Sequence, residues 1–153
     1  MTLDNRPVHT GGCQCGAVRF RIEGALGRAS ICHCRMCQKA FGSFFAPLVS
    51  VDPATLRWTT REPDRFPSSN LVQRGFCSAC GTPLTYEAPD GPALSIGAFD
   101  DPTAIAPDIQ FGCETKLPYV DRLATLPVRR TEEDEADNPY LGDIRSFQHP
   151  DHD

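Results

Sequence analysis

The chain has 153 residues, of which 40% are hydrophobic, with 14 prolines, 12 glycines and a formal net charge of −5. This length suits one domain large enough to bury a core, and the proline and glycine content favours short strands and turns over long helices. The acidic balance, without a stripe of Lys or Arg, argues against a nucleic-acid partner because phosphate binding needs a basic face.

The cellular setting is inferred from the segments that the sequence lacks. No apolar run approaches the roughly 20 residues of a membrane span, and the polar start of the chain has no apolar signal segment. We therefore expect a cytoplasmic protein without a membrane partner, whose thiols stay reduced. Closely spaced cysteines then bind metal more often than they form disulfides, although an even count of eight keeps a disulfide framework as the alternative.

The predicted organisation is a single domain between two polar ends. Residues 1–10 are expected to form a flexible lead-in, residues 11–130 a zinc-binding domain, and residues 131–153 an acidic polar tail. The tail contains the run TEEDEADN and has the composition of a solvated appendage, with a helical turn as an option.

Local patterns predict a mainly β domain with little helix. Polar and apolar residues alternate over residues 16–22, which predicts a half-buried strand with Arg19 on its solvent face. The stretch CRMCQKAFG predicts one or two helical turns that end at Gly42. Pro47 favours an edge position or a bulge for the apolar strand that contains it. The further predicted strands are 44–51, 55–60, 71–76, 84–87, 94–99 and 109–113, with 61–70 as a surface loop.

Seven of the eight cysteines fall into three tight clusters, which is the strongest signal in the sequence. A tetrahedral zinc with four thiolates is a closed structural site, whereas one with three protein ligands keeps a position open for chemistry. Seven clustered cysteines therefore predict one metal that stabilises the fold and a second that binds a substrate. The clusters are Cys13 with Cys15, then Cys32, Cys34 and Cys37, and then Cys77 with Cys80.

The first and last clusters are predicted to share one zinc. Cys77 and Cys80 are separated by two residues and followed by a glycine, which is the form of a zinc knuckle. Cys13 and Cys15 alternate in extended backbone, so both sulfur atoms can face one ion. Neither pair closes a site alone, and together they give a four-sulfur zinc that joins the start of the chain to its middle.

The middle cluster can surround one metal whose fourth position is open to water, to His33 or to a substrate thiolate. His33 lies between two cysteines that share a face, so it is expected to point away and form a hydrogen bond. The alternative is a second structural zinc that Cys113 or a histidine completes. A lone cysteine in an apolar strand is more typically a small buried residue, which is the expectation for Cys113.

Three thiolates and an open position suit carbon–sulfur chemistry. A free thiol has a pKa of about 8.5 and is mostly protonated at neutral pH, whereas a metal-bound thiol is deprotonated. A zinc with three thiolates carries a net negative charge, which favours holding a substrate thiolate over activating water. Polarisation of a carbonyl by zinc as a Lewis acid is the other possibility.

Charged residues outside the clusters supply the remaining candidates. Arg35, Lys39 and Arg74 lie near the cysteines in the sequence and are candidates for pairing with the carboxylates of a small anionic substrate. Asp100 and Asp101 precede a proline and are expected to form a turn.

The chain resembles the glutathione-dependent formaldehyde-activating enzyme family, whose domain is shared with centromere protein V-like proteins. The segments that carry the resemblance are GGCQCGAVRF, CHCRMCQKAFGSFF, RGFCSACGTPL and LSIGAFDDP, in this order, within residues 11–128. Two positions depart from the family pattern: Asp108 stands where a histidine is common, and Tyr119 where a tryptophan is common. If both line the ligand cleft, glutathione is a poorer candidate as the substrate.

The resemblance implies a fold of coiled, mainly antiparallel sheets and two kinds of zinc ligand. It implies condensation of glutathione with formaldehyde into S-(hydroxymethyl)glutathione, which is a carbon–sulfur lyase reaction run in reverse. By the resemblance, the structural zinc ligands are Cys13, Cys15, Cys77 and Cys80, and the catalytic zinc ligands are Cys32, Cys34 and Cys37.

The leading hypothesis is therefore a zinc-dependent carbon–sulfur lyase that acts on a small thiol or thiol–aldehyde adduct such as that of glutathione. It is expected to hold two zinc ions, and the second can be labile because one of its positions is open. One alternative is a zinc-stabilised binding module without catalysis. Another is a thiol-based redox or metal sensor, in which the middle cluster loses zinc and forms a disulfide.

Overall fold

The computed structural model describes residues 5–153, in which ten short strands and two seven-residue helices lie. The mainly β architecture with little helix is thereby confirmed. The strands are β1 (Val8–Gly12), β2 (Arg19–Glu23), β3 (Ala29–Cys32), β4 (Ala46–Ser50), β5 (Leu56–Trp58), β6 (Asp64–Pro67), β7 (Gln73–Phe76), β8 (Pro83–Ala88), β9 (Gly91–Ser95) and β10 (Ile109–Phe111), and the helices are α1 (Arg35–Phe41) and α2 (Thr131–Asp137).

The strands form two sheets. The small sheet has the order β1-β2-β5 and is antiparallel, and the large sheet has the order β10-β3-β4-β9-β8-β7-β6. Every pairing in the large sheet is antiparallel except that of β10 with β3, which is parallel. Most connections are accordingly short turns, since antiparallel neighbours can be joined by hairpins.

The main core lies where β2 of the small sheet packs against the large sheet. Val18, Phe20 and Ile22 are fully buried, as the alternation over this stretch predicts. Phe20 makes edge-to-face contacts with Trp58 at 6.1 Å and with Phe99 at 5.0 Å between ring centroids. Each such side chain stabilises the fold by about 1.5–3 kcal/mol relative to an exposed one.

Arg19 lies on the other face of β2 and was predicted to be exposed to solvent, but this prediction is wrong. Its side chain is buried and forms a two-pronged ion pair with Asp100, with Nη1 to Oδ1 at 2.9 Å and Nη2 to Oδ2 at 2.6 Å. Asp100 thus pairs across the fold, whereas Asp101 accepts the N–H of Thr103 in the predicted turn. The alternation predicts on which face of the strand a side chain lies, but it does not predict which other residues pack on that face.

The flexible lead-in predicted for residues 1–10 is wrong for its last part. Val8–Gly12 is a strand because its backbone pairs along β2 over five residues. Residues 1–4 lie outside the described residues. Near the end of this strand, Gly11 lies against the 3-10 turn that precedes Phe99, where an added Cβ would lie 2.3 Å from the Ala98 carbonyl oxygen.

Three predicted elements differ in place or extent. The strand with Pro47 is not at an edge, since β4 lies between β3 and β9. Pro47 is tolerated because β9 pairs with β4 only from Leu48 onward. The predicted loop 61–70 contains β6, an exposed edge strand in which Pro67 needs no partner for an N–H. The predicted strand 94–99 ends at Ser95 and is followed by a 3-10 turn.

The tail is helical in part and returns to the domain. Helix α2 is exposed and is held by ion pairs from Arg129 to Asp134 and Asp137. Further along, the His149 N–H donates to the Gln14 carbonyl at 2.7 Å. Within residues 5–153, no helix combines the length and apolar character needed to cross a membrane.

Candidate metal centres and ligand cavity

The first and last cysteine clusters meet in one group of four thiols. Cys13 and Cys15 follow β1, and Cys77 and Cys80 lie in the turn between β7 and β8. The sulfur atoms all lie within 4.8 Å of one another, with Cys13 to Cys15 at 3.6 Å and Cys15 to Cys77 at 3.8 Å. Tetrahedral zinc with Zn–S bonds of about 2.3 Å places its sulfurs about 3.8 Å apart. The donor set and spacing therefore fit a closed metal site.

Hydrogen bonds around this four-cysteine site stabilise negative sulfur. The Val18 N–H donates to Cys13 Sγ at 3.2 Å, and the Thr82 hydroxyl lies 3.2 Å from Cys80 Sγ. Burial raises the pKa of Cys13 to about 12, although the Val18 N–H acts in the opposite direction. Burial alone would raise the pKa of Cys80, but hydrogen bonds with Thr82 and Cys15 outweigh burial and lower this pKa to about 6. Cys80 thus ionises more readily than Cys13.

The middle cluster forms a separate group of three thiols at the start of α1. Cys32 ends β3, Cys34 caps the helix by accepting the Cys37 N–H at 3.4 Å, and Cys37 is buried in its first turn. The three sulfur atoms lie within 4.8 Å of one another. This set fits a metal with three protein ligands and one further position.

The three thiols of the three-cysteine site differ in how readily they ionise. Burial raises the pKa of Cys32 to about 12, and it also raises that of Cys37, although Arg74 acts against it there. Burial acts upward on Cys34 too, but the Cys37 N–H, the two neighbouring thiols and the charge of Arg74 lower its pKa. Cys34 is therefore the thiol most ready to ionise, and a bound metal would deprotonate the others.

Disulfides, the alternative for these cysteines, are not formed: all eight are free. Cys113, predicted to be buried, is exposed in a 3-10 turn after β10 and is not part of either sulfur group. It leaves the strand because Gly112, with φ of 63°, turns the chain away.

His33 points away from the metal site, as predicted. It is fully buried, and its Nε2 lies 2.9 Å from Gln110 Oε1 on β10. Its carbonyl accepts the Gln38 side-chain amide at 2.6 Å and the Thr115 hydroxyl at 3.0 Å. His33 thereby fixes the backbone between Cys32 and Cys34, and the sequence gives no local signal for partners that lie so far along the chain.

A cavity of about 330 Å³ opens beside the three-cysteine site, and all three cysteines line it. Its walls come from β3, β4, the β8–β9 hairpin and α1, with Phe111 from β10. Arg74 of β7 is buried in its wall and donates from Nη2 to Cys37 Sγ at 3.3 Å and from Nε to Ser68 Oγ at 2.9 Å. The volume lies within the range of small-molecule sites.

The other predicted substrate contacts lie elsewhere. Arg35 and Lys39 are exposed on α1 and do not line the cavity. Arg35 donates instead to the side chain of Gln38. The departures from the family pattern also lie outside the cavity lining, since Asp108 pairs with Arg28 at 3.2 Å and Tyr119 packs edge-to-face on Phe44.

Gly112 is a supporting residue that the sequence did not single out. A Cβ there would lie 2.8 Å from the Cys34 backbone nitrogen, and the φ of 63° is in the left-handed region. Gly112→Ala is therefore expected to displace Cys34 and to lower the metal affinity of the three-cysteine site at least 10-fold, while the four-cysteine site keeps its metal. Metal content after competition with a chelator measures both.

Gly42→Ala is the matched control for Gly112→Ala. Gly42 also has a positive φ, of 56°, but an added Cβ would meet nothing within 4 Å. Both variants carry backbone strain of about 1–2 kcal/mol, so only the contact with Cys34 distinguishes them. Equal loss of metal from both would contradict a role for close approach at Gly112.

The fold and its two sulfur groups define a small mainly β protein with two candidate thiolate metal centres, one closed and one beside a cavity. Residues 8–115 match the family described as the glutathione-dependent formaldehyde-activating enzyme. This match covers most of the chain, and the protein belongs to that family.

Similar proteins agree with this assignment at a coarser level. A Schizosaccharomyces pombe protein named as an uncharacterized lyase is 26% identical over 85 residues, which are 56% of this chain and 61% of that protein. The chain thus spans about three-fifths of the length of that relative. A crystal structure of a Rhodobacter sphaeroides protein has a TM-score of 0.54 and 18% identity, covering 66% of this chain and 98% of that one. The second similarity concerns the fold alone.

Proposed function

We propose that the protein is a zinc-dependent carbon–sulfur lyase of the S-(hydroxymethyl)glutathione synthase type, which joins or releases a small aldehyde and a thiol such as glutathione. The observation that carries this proposal is a three-sulfur group within 4.8 Å whose members all line a cavity of about 330 Å³. The family match and the lyase-named relative support the same reaction class. In this proposal a second zinc occupies the four-cysteine site and has a structural role.

The proposed reaction forms one carbon–sulfur bond and transfers one proton. The thiol sulfur attacks the aldehyde carbon, the π electrons of the C=O bond move to oxygen, and the proton of the thiol ends on that oxygen. With formaldehyde the product is an S-hydroxymethyl thioether, and the reverse direction returns both reactants. Cys32, Cys34 and Cys37 would hold the zinc, and a zinc bound there would supply a position in which the substrate thiol is kept as thiolate.

Residues of the chain prepare this position for a negatively charged sulfur. Arg74 donates a charge-assisted hydrogen bond to Cys37, which offsets part of the negative charge that three thiolates bring. Apolar residues form part of the cavity wall, and electrostatic interactions beside them are stronger than in water because the local dielectric constant is lower. His33 and Gln38 keep the cysteine loop in place through hydrogen bonds.

Cys34→Ser tests the proposed activity. The exchange of formaldehyde with glutathione and with propane-1-thiol, followed by NMR, is expected to be faster with the wild type than without protein. Cys34→Ser should reduce it to the uncatalysed rate and lower the zinc content by one equivalent, with the far-UV spectrum unchanged. Cys113→Ser, at the exposed cysteine, should leave both unchanged. A wild type that accelerates neither thiol would show the proposed activity to be wrong.

A further inference from the structure

Residues 148–153, called the returning segment below, lie against the four-cysteine site, although they are outside the part of the chain that matches the family. The His149 N–H donates to the Gln14 carbonyl at 2.7 Å, and the Asp153 carboxylate pairs with the buried Arg19 at 2.8 Å. Residues of the segment and of the four-cysteine site together line a cavity of about 150 Å³. Contacts near both ends of the segment therefore hold it beside the site.

The segment contacts the chain on both sides of Cys15. Gln14 precedes this cysteine and accepts the hydrogen bond. Gly16 follows it, and a Cβ added to Gly16 would lie 2.3 Å from Cδ2 of His149. Within residues 142–153, all of which the structure describes, His149 is the one residue that is partly buried, and the others are exposed. His149 is thus the residue that inserts against the cysteine loop.

Cys15 is the ligand from which a metal would be released most easily. It is exposed, whereas Cys13 and Cys77 are buried and Cys80 is partly buried. Because a closed four-thiolate site has no open position, a competing ligand can bind the metal only when one thiolate leaves. The exposed thiolate is the one that a competing ligand can reach. The rate of metal release should therefore depend on how firmly the loop around Cys15 is held.

We propose that the returning segment is a strap that holds the Cys15 loop and slows the release of metal from the four-cysteine site. His149 and Gly16 are its positioning residues: the N–H of the first fixes the carbonyl before Cys15, and the second leaves room for the imidazole ring. The Gln14 N–H donates to Thr82 Oγ1 at 3.0 Å, so the strap adds to a restraint that comes from the other half of the site. This inference goes beyond the lyase reaction and concerns only the retention of metal.

Release of zinc to an excess of a coloured chelator tests the strap in the full chain. The phase that persists in Cys34→Ser belongs to the four-cysteine site, and the other phase is an internal control. His149→Pro removes the N–H that bonds Gln14 and should accelerate the first phase about 3- to 10-fold, with the other phase unchanged. His152→Pro, at an exposed residue of the same segment, should change neither. Equal acceleration of both phases, or no acceleration, would overturn the strap.

Gly16→Ala tests the same contact from the loop, with Gly81→Ala as its matched control. Each glycine directly follows a cysteine of the four-cysteine site, with φ of 78° and 83°. An added Cβ meets His149 at the first position and nothing within 4 Å at the second. Since the backbone strain is similar and only Gly16→Ala displaces the strap, it should accelerate release about 3- to 10-fold more than Gly81→Ala. Equal acceleration would overturn a role for the contact with His149.

A double variant shows whether Gly16 acts through the strap. The three atoms nearest to the added Cβ all belong to the His149 side chain, at 2.3, 2.8 and 3.0 Å, and His149→Gly removes them. Gly16→Ala introduced into His149→Gly should therefore accelerate release no more than Gly81→Ala does in the wild type. The same additional acceleration in both backgrounds would place the effect within the cysteine loop and would overturn the strap.

Discussion

Replacing Cys77 by serine should remove one metal equivalent and most of the free energy of unfolding. Cys77 is fully buried, and its sulfur lies 3.8 Å from that of Cys15, which is 62 residues earlier in the chain. A structural zinc contributes about 10–16 kcal/mol of apparent folding free energy in small domains, whereas whole domains are stable by only about 5–15 kcal/mol. Because the two ranges overlap, loss of this site is expected to remove most or all of the free energy of unfolding.

Zinc analysis and thermal unfolding under reducing conditions measure this effect. Cys113→Ser is the control, because that cysteine is exposed and lies outside both sulfur groups. Its melting temperature should stay within about 2 °C of the wild type. A Cys77→Ser protein that keeps both metal equivalents and melts like the wild type would contradict a structural role for the four-cysteine site.

Local spacing explains why the two groups of cysteines that could hold metal were visible in the sequence. Sulfur atoms one or two residues apart must lie close together in most backbone conformations, so each cluster is visible without a fold. The joining of Cys13 and Cys15 to Cys77 and Cys80 is a long-range contact, and it followed from counting ligands. The structure brings these four sulfurs together and keeps the middle three apart as their own group.

Partners far along the chain explain what the sequence did not predict. The strand with Arg19 was placed correctly, but Asp100, its partner, is 81 residues away, and a period-2 pattern says nothing about it. Gly112 and Gln110 support the three-cysteine loop from β10 and the turn after it, again across some 77 residues. The edge strand β6 was missed because the prolines near it are also typical of loops.

Charge placement within the cavity was likewise beyond the sequence. Arg35, Lys39 and Arg74 are equally plausible anion partners by their proximity to cysteines, yet only Arg74 lines the cavity. Residues on the outer face of α1 remain in solvent because the helix presents Cys37 and Gln38 to the interior. Sequence proximity therefore identified the helix but not its buried face.

Asp100→Asn should lower the free energy of unfolding at neutral pH by about 3–5 kcal/mol, because it leaves a buried guanidinium without its charge partner. The side chains of Arg19 and Asp100 are only 6% and 11% exposed, and Thr10 donates a further hydrogen bond to Asp100 at 2.5 Å. The loss should lie toward the lower end of this range because Asp153 also pairs with Arg19, at 2.8 Å. Denaturant unfolding of the metal-loaded protein measures it.

Asp101→Asn is the matched control, since Asp101 is exposed and only accepts hydrogen bonds within its turn, a role that asparagine can keep. Its effect should stay within about 0.5 kcal/mol. An equal effect of both substitutions would show that the charge of Asp100 is not what stabilises the fold.

The pH dependence gives the second test of the Arg19–Asp100 pair. Burial alone would raise the pKa of Asp100, but the hydrogen bonds and charge of Arg19 and the Thr10 hydroxyl outweigh it and lower that pKa. A carboxyl whose pKa is lower in the folded state stabilises the protein fully above its unfolded pKa of about 3.9, and this contribution is lost as the pH falls through the folded pKa. The difference in free energy of unfolding between wild type and Asp100→Asn should therefore be constant between pH 6 and 8, where the cysteines ionise to the same extent in both proteins. It should shrink below about pH 4. A difference that stays constant into acid would contradict the ion pair as its source.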